Sequence, residues 1–106
     1  MVFKETSIFT KQINALISDD EYKELQNFLL KTPDAGVIIK GSGGIRKLRW
    51  KQSGQGKRGG FRLIYFWHVS EDVFLMLLAY PKNVQDNLSN EQLKILKQVV
   101  DKELNP

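Results

Sequence analysis

The sequence predicts an α+β domain, ordered β-α-α-β-β-β-α, with helices packed on a small, twisted, largely antiparallel sheet. Two S-x-x-E/Q boxes, Ser18 with Glu21 and Ser89 with Gln92, each open a stretch of helical periodicity. The apolar runs IRKLRW, FRLIYFWH and VFLMLLAY follow one another with turn-forming breaks between them. At 106 residues the chain suits a single domain, 1-106, with one modest core.

Each element has its own signal. Val2 to Glu5 reads as a short first strand. Phe9, Ile13, Leu16 and Ile17 fall on one helical face. Ser18 caps a second helix, with Ile17 and Tyr22 spaced as its hydrophobic staple. Tyr22, Leu25, Phe28 and Leu29 continue it until Thr32-Pro33 ends it. Gly41-Ser42-Gly43-Gly44 then breaks the chain before a second strand, Ile45 to Trp50. A loop from Lys51 to Gly60 leads into the third strand, Phe61 to His68, and Ser70-Glu71-Asp72 turns into the fourth, Val73 to Tyr80. Short connections make an antiparallel meander the natural arrangement. After Pro81, Ser89 caps the last helix, with Leu88 and Leu93 as its staple and Leu93, Leu96, Val100 and Leu104 as its apolar stripe.

Composition narrows the function. Apolar residues make up 42% of the chain, which argues against a disordered protein. Cysteine is absent, so disulfides and thiolate metal sites are excluded. The opening MVFKETSIF lacks the apolar run of a signal peptide and no segment reaches the length of a membrane span, so a cytoplasmic setting without a membrane partner is expected. Charge is unevenly spread. From Ala35 to Ser70 there is no acidic residue, yet Lys40, Arg46, Lys47, Arg49, Lys51, Lys57, Arg58 and Arg62 all fall there. The rest of the chain carries every one of the 12 acidic residues. Such a basic patch fits a polyanion, most often a nucleic acid, where the plainer reading is a solvated face.

The meander gives this patch a focus. In antiparallel neighbours the end of one strand lies beside the start of the next, so Arg49, Arg62 and Lys82 should meet at one end of the sheet, and Lys47 shares the face of Arg49. The loop carrying Lys57 and Arg58 hangs over the same end. The plain reading of Arg62 is an ion pair with Asp34 or Asp86. The functional reading is a cation cluster that an anion relieves.

Other chemistry is poorly supplied. His68 is the only histidine and closes its strand far from Arg62, which rules out a two-histidine ribonuclease and leaves it structural. Asp19, Asp20 and Glu21 suit a helix N-terminus. GQGKRGG, Gly54 to Gly60, lacks phosphate-loop spacing and no helix follows it; neither a metal-ligand cluster nor G-x-S-x-G occurs. No cofactor is expected. A cationic site without a metal can still act on RNA, because the 2′-hydroxyl is an internal nucleophile that needs only orientation and charge stabilisation.

The series GSGGIRKLRW…GQGKRGGFRLIYFW…FLMLLAYPKNVQDNLSNEQ resembles the RelE/ParE toxin superfamily, closest to its HigB-type branch. The signature-bearing part runs from Gly41 to about Gln92, and the element order extends the likeness over the whole chain. The resemblance implies a type II toxin acting as a ribosome-dependent mRNA endonuclease at the A site of the small subunit. It also implies a cognate helix-turn-helix antitoxin of the HigA type that binds operator DNA. Lys47 and Arg49 match the paired basic positions of the second strand, Arg62 the phosphate-contacting arginine, and Lys82 the proton donor or charge stabiliser. Arg46, Lys57, Arg58 and Asn83 are then expected to contact RNA or the ribosome. The chain departs from the family at Leu88, near which RelE carries a tyrosine, and at Val84 and Asn87, where HigB-type relatives carry acidic residues; Asp86 lies beside them. The alternatives are a non-catalytic inhibitor of DNA gyrase, as in ParE-like relatives, or an inactive nucleic-acid-binding module.

Overall fold

The computed structural model describes residues 2–51, 60–85 and 87–104. Its elements are β1 (Val2–Glu5), α1 (Ser7–Leu16), α2 (Asp19–Lys31), β2 (Val37–Ile38), β3 (Ile45–Trp50), β4 (Phe61–His68), β5 (Val73–Pro81) and α3 (Asn90–Leu104). The five strands form one sheet in the order β1-β5-β4-β3-β2. β1 runs parallel to β5, and every other neighbouring pair is antiparallel. This is the α+β architecture expected, with one element added.

The added element is β2. Val37 and Ile38 pair with Lys47 and Arg46, and the glycine-rich break is the turn that makes this possible. Gly41, Gly43 and Gly44 have φ of 75°, 75° and 115°, a region side-chain-bearing residues avoid. Buried Ser42 sits inside the turn, its Oγ accepting from Ile45 N at 2.9 Å and donating to Ile45 O at 3.2 Å. The run GSGG is therefore a hairpin and not merely a breaker.

Apolar alternation splits the core into two layers. One face of the sheet, with Phe61, Leu63, Tyr65, Phe74, Met76 and Ala79, packs against Phe9, Ile13 and Ile17 from α1 and its cap, and Leu25 and Leu29 of α2. The opposite face, with Ile45, Ile64, Leu75, Leu77 and Tyr80, packs against Leu96 and Val100 of α3. A register shift between Ile64 and Tyr65 leaves Leu77 as the extra residue of β5, and it is fully packed on the α3 side.

The helix starts follow from their caps. Ser18 Oγ accepts from Glu21 N at 3.2 Å. Before α3 the box closes in both directions: Ser89 Oγ accepts from Gln92 N at 3.1 Å, and Gln92 Oε1 accepts from Ser89 N at 2.9 Å. α1 is capped by Thr6, whose Oγ1 accepts from Phe9 N at 3.0 Å and donates to Leu77 O at 2.9 Å. Gln12 of α1 accepts from Ala79 N at 2.9 Å, satisfying β5 beyond the point where β1 stops pairing with it.

Candidate active site

The register of the meander assembles the cations. Arg49 of β3 stands opposite Arg62 of β4, and Arg62 in turn stands opposite Tyr80 of β5. Lys47 pairs with Ile64 on the same face, two positions from Arg49. Ile64 and Tyr80 belong to the core beneath α3, so this is the α3 side of the sheet. Lys82 is exposed in the turn that follows β5, at the same end. Lys47, Arg49, Arg62 and Lys82 are thus brought to one end of one sheet.

Their surroundings differ. Arg49 is exposed, while Lys47 and Arg62 are partly buried. Lys47 Nζ donates to Asn87 Oδ1 at 2.9 Å, which joins β3 to the segment between β5 and α3. Like charges placed directly across a ladder repel, and an anion held between them is favourable. Arginine suits that role, because its planar fork meets two oxygens of a phosphate at once.

The remaining candidates are spread out. Arg46 lies on the opposite face, paired with Tyr65, and its Nη1 donates to Gly36 O at 2.7 Å and Asp34 O at 3.3 Å. Its guanidinium closes the loop before β2 and is not part of the cluster. Asn83 is exposed in the turn after β5, where Val84 N donates to Pro81 O at 3.1 Å. Lys57 and Arg58, and the possible partner Asp86, lie outside the described residues. His68 closes β4 opposite Val73, about 20 Å of strand from Arg62, with its ring 6.4 Å from that of Phe66. Among the described residues no group of three His, Cys, Asp or Glu side chains could hold a metal ion.

Two further residues at this end are placed by the fold. Tyr80, 5% exposed, reads as one more apolar strand residue, and only the β4–β5 register reveals that it borders Arg62. Asn87 stands out in the sequence only as a departure from HigB-type relatives, and its contact with Lys47, 40 positions away, is visible only in the fold.

The helices of the described chain include none long and apolar enough to cross a membrane. A solved structure of an arginine-to-alanine double mutant of the E. coli toxin RelE, in its free state, has a similar fold. It superposes with a TM-score of 0.56 at 14% sequence identity, over 80% of this chain and 86% of that one. The family model described as the RelE toxin of the RelE/RelB toxin–antitoxin system matches residues 2–105, from the first strand through the last helix. The chain therefore belongs to the RelE toxin family of toxin–antitoxin systems.

Proposed function

We propose that the protein is a ribosome-dependent mRNA endonuclease of the HigB-type branch, which stops translation by cutting messages in the A site of the small subunit. The observation that supports this most is the opposed pair Arg49–Arg62, with Lys47 on the same face and Lys82 at the same end of the sheet. In this reading the 2′-oxygen of the RNA forms a bond to the adjacent phosphorus as the bond from phosphorus to the 5′-oxygen breaks. The 2′ proton passes to a base and the leaving 5′-oxygen takes one from an acid. Arg62 holds the non-bridging oxygens and steadies the charge that grows on them. Arg49 supports it, Lys47 is the candidate base and Lys82 the candidate donor. The nucleophile is internal to the substrate, so the reaction draws on positioning and charge and needs no metal.

The same reading makes the protein cytoplasmic, where ribosomes are. It gives it a HigA-type helix-turn-helix antitoxin as partner, through which it joins a complex on operator DNA. The deciding experiment incubates the purified toxin with a defined mRNA, either free or programmed on ribosomes. Cleavage within the A-site codon of ribosome-bound message, with free message left largely intact, is the expected result. Equal cleavage of free RNA, or growth arrest with intact mRNA and damaged DNA, would overturn it, the latter in favour of gyrase.

A further inference from the structure

We propose that Asn87 is a positioning residue for Lys47, and that the amide network at the start of α3 exists to hold it there. The inference rests on the reading of Lys47 as part of an RNA-cleaving site and deepens it. A lysine side chain on its flexible stem loses rotamer freedom when it is fixed for chemistry. An acceptor that restrains it beforehand removes part of that cost from the reaction. Lys47 Nζ donates to Asn87 Oδ1 at 2.9 Å, which occupies one N–H and leaves the nitrogen's other positions, including the lone pair a base needs, for the RNA.

Asn87 is itself held by a chain of amides. Gln85 Nε2 donates to the backbone carbonyl of Asn87 at 2.9 Å. Gln85 and Gln92 bond side chain to side chain in both directions. Gln92 is also the closing member of the Ser89 capping box, so the network is anchored in the first turn of α3. At the other end the segment leaves β5 through a turn, where Val84 N donates to Pro81 O at 3.1 Å. Asn87 Oδ1 is therefore presented from a built support, although the residue is exposed. A neutral amide also suits the place: it orients Lys47 Nζ without setting a negative charge beside the cations Arg49 and Arg62. An isolated surface hydrogen bond would have no reason to be backed in this way.

The test compares the parent, Asn87→Ala, Lys47→Ala and the double variant in single-turnover cleavage at saturating ribosome, with ribosome affinity measured separately. Asn87→Ala is expected to slow cleavage on the order of tenfold, the equivalent of one hydrogen bond, with affinity unchanged. In the Lys47→Ala background the same change should cost nothing further, because Asn87 acts through Lys47. A readout independent of activity is the mobility of the Lys47 side chain by NMR, which should rise in Asn87→Ala. Unchanged cleavage in Asn87→Ala, an equal loss in both backgrounds, or unchanged Lys47 mobility overturns the inference. Full activity of Lys47→Ala is a separate failure: it removes Lys47 from the proposed catalytic set itself.

Discussion

Arg49 and Arg62 are direct partners across the β3–β4 ladder, two cations opposed at the end of the sheet where Lys82 leaves β5. A fold selected for stability alone would place opposite charges or a β-branched pair there, since opposed like charges are destabilising. Local rules of this kind are broken where function requires it. An opposed pair of cations locates the candidate site more narrowly than net charge does.

Removing Arg62 should silence the toxin. Arg62→Ala is expected to abolish growth arrest and lower cleavage by several orders of magnitude while the thermal transition stays cooperative, because a charge-assisted contact to the scissile phosphate is lost. Arg62→Lys should recover little, since a point charge cannot make the paired contact. Growth assays at matched protein level, with cleavage measured on programmed ribosomes, decide it. Undiminished toxicity of Arg62→Ala would mean the site lies elsewhere.

Arg49 should trade stability for activity. Arg49→Thr removes the repulsion and places a β-branched residue in a strand, so a gain of about 0.2–1 kcal/mol is expected. Cleavage should fall in the same variant. A denaturant titration beside the cleavage assay checks both signs at once, and a variant that is less stable and fully active would contradict the reading of the pair.

The elements were legible in the sequence because each carries a local signal. The Ser89–Gln92 box and the apolar runs of β3, β4 and β5 place those elements where the structure has them. So does the convergence of Arg49, Arg62 and Lys82, which follows from meander connectivity. What could not be read depends on tertiary register. β2 is two residues long and pairs only because the Gly41–Gly44 turn folds it back, so no periodicity announces it. The separation of α1 and α2 from α3 onto opposite faces, the placing of Tyr80 beside Arg62, and the capture of Arg46 by the carbonyls of Asp34 and Gly36 are all long-range.

Tyr65 ties the loop before β2 to the core, and this can be tested by pH. Its hydroxyl donates to Pro33 O at 2.8 Å and accepts from Gly36 N at 3.0 Å. Burial raises its pKa above the usual tyrosine value of about 10. Tyr22 moves in the same direction, through burial and its hydrogen bond to Glu5. A raised value means that the folded state keeps a proton which the unfolded chain releases, so this stability is complete below about pH 10 and is lost as pH rises through the raised value. Tyr65→Phe should cost about 1–3 kcal/mol at neutral pH by leaving Gly36 N–H and Pro33 O without it. Above about pH 10 its melting temperature should fall less steeply than that of the parent. Parallel curves would show that Tyr65 does not drive the alkaline loss.

Gly36 should not accept a side chain. A Cβ there would meet Tyr65 Cε1 at 3.0 Å, Arg46 Cβ at 3.1 Å and Lys47 O at 3.1 Å. Two of those neighbours are fixed, Tyr65 by its paired hydrogen bonds and Lys47 O by the β3 backbone. Gly36→Ala is expected to cost about 1–3 kcal/mol, with a melting temperature lower by several degrees. An unchanged melting temperature would show that the loop yields freely.

Lys57 and Arg58 lie in the sequence between β3 and β4, outside the described residues. Trp50 and Phe61 are partners, so whatever the loop carries starts and finishes beside Arg49 and Arg62. Lys57 and Arg58 are expected to dock the toxin on ribosomal RNA and to take little part in bond breaking. Contacts to phosphates release counterions, so ribosome affinity should fall as salt rises, with a slope set by the number of contacts. Lys57→Ala/Arg58→Ala should weaken ribosome binding and flatten that slope by roughly one to two units for the two charges removed. Single-turnover cleavage at saturating ribosome should change little. If the double variant binds with the parent's affinity and slope, these charges are merely solvated. If the saturated rate collapses instead, one of them belongs among the groups that act on the scissile phosphate.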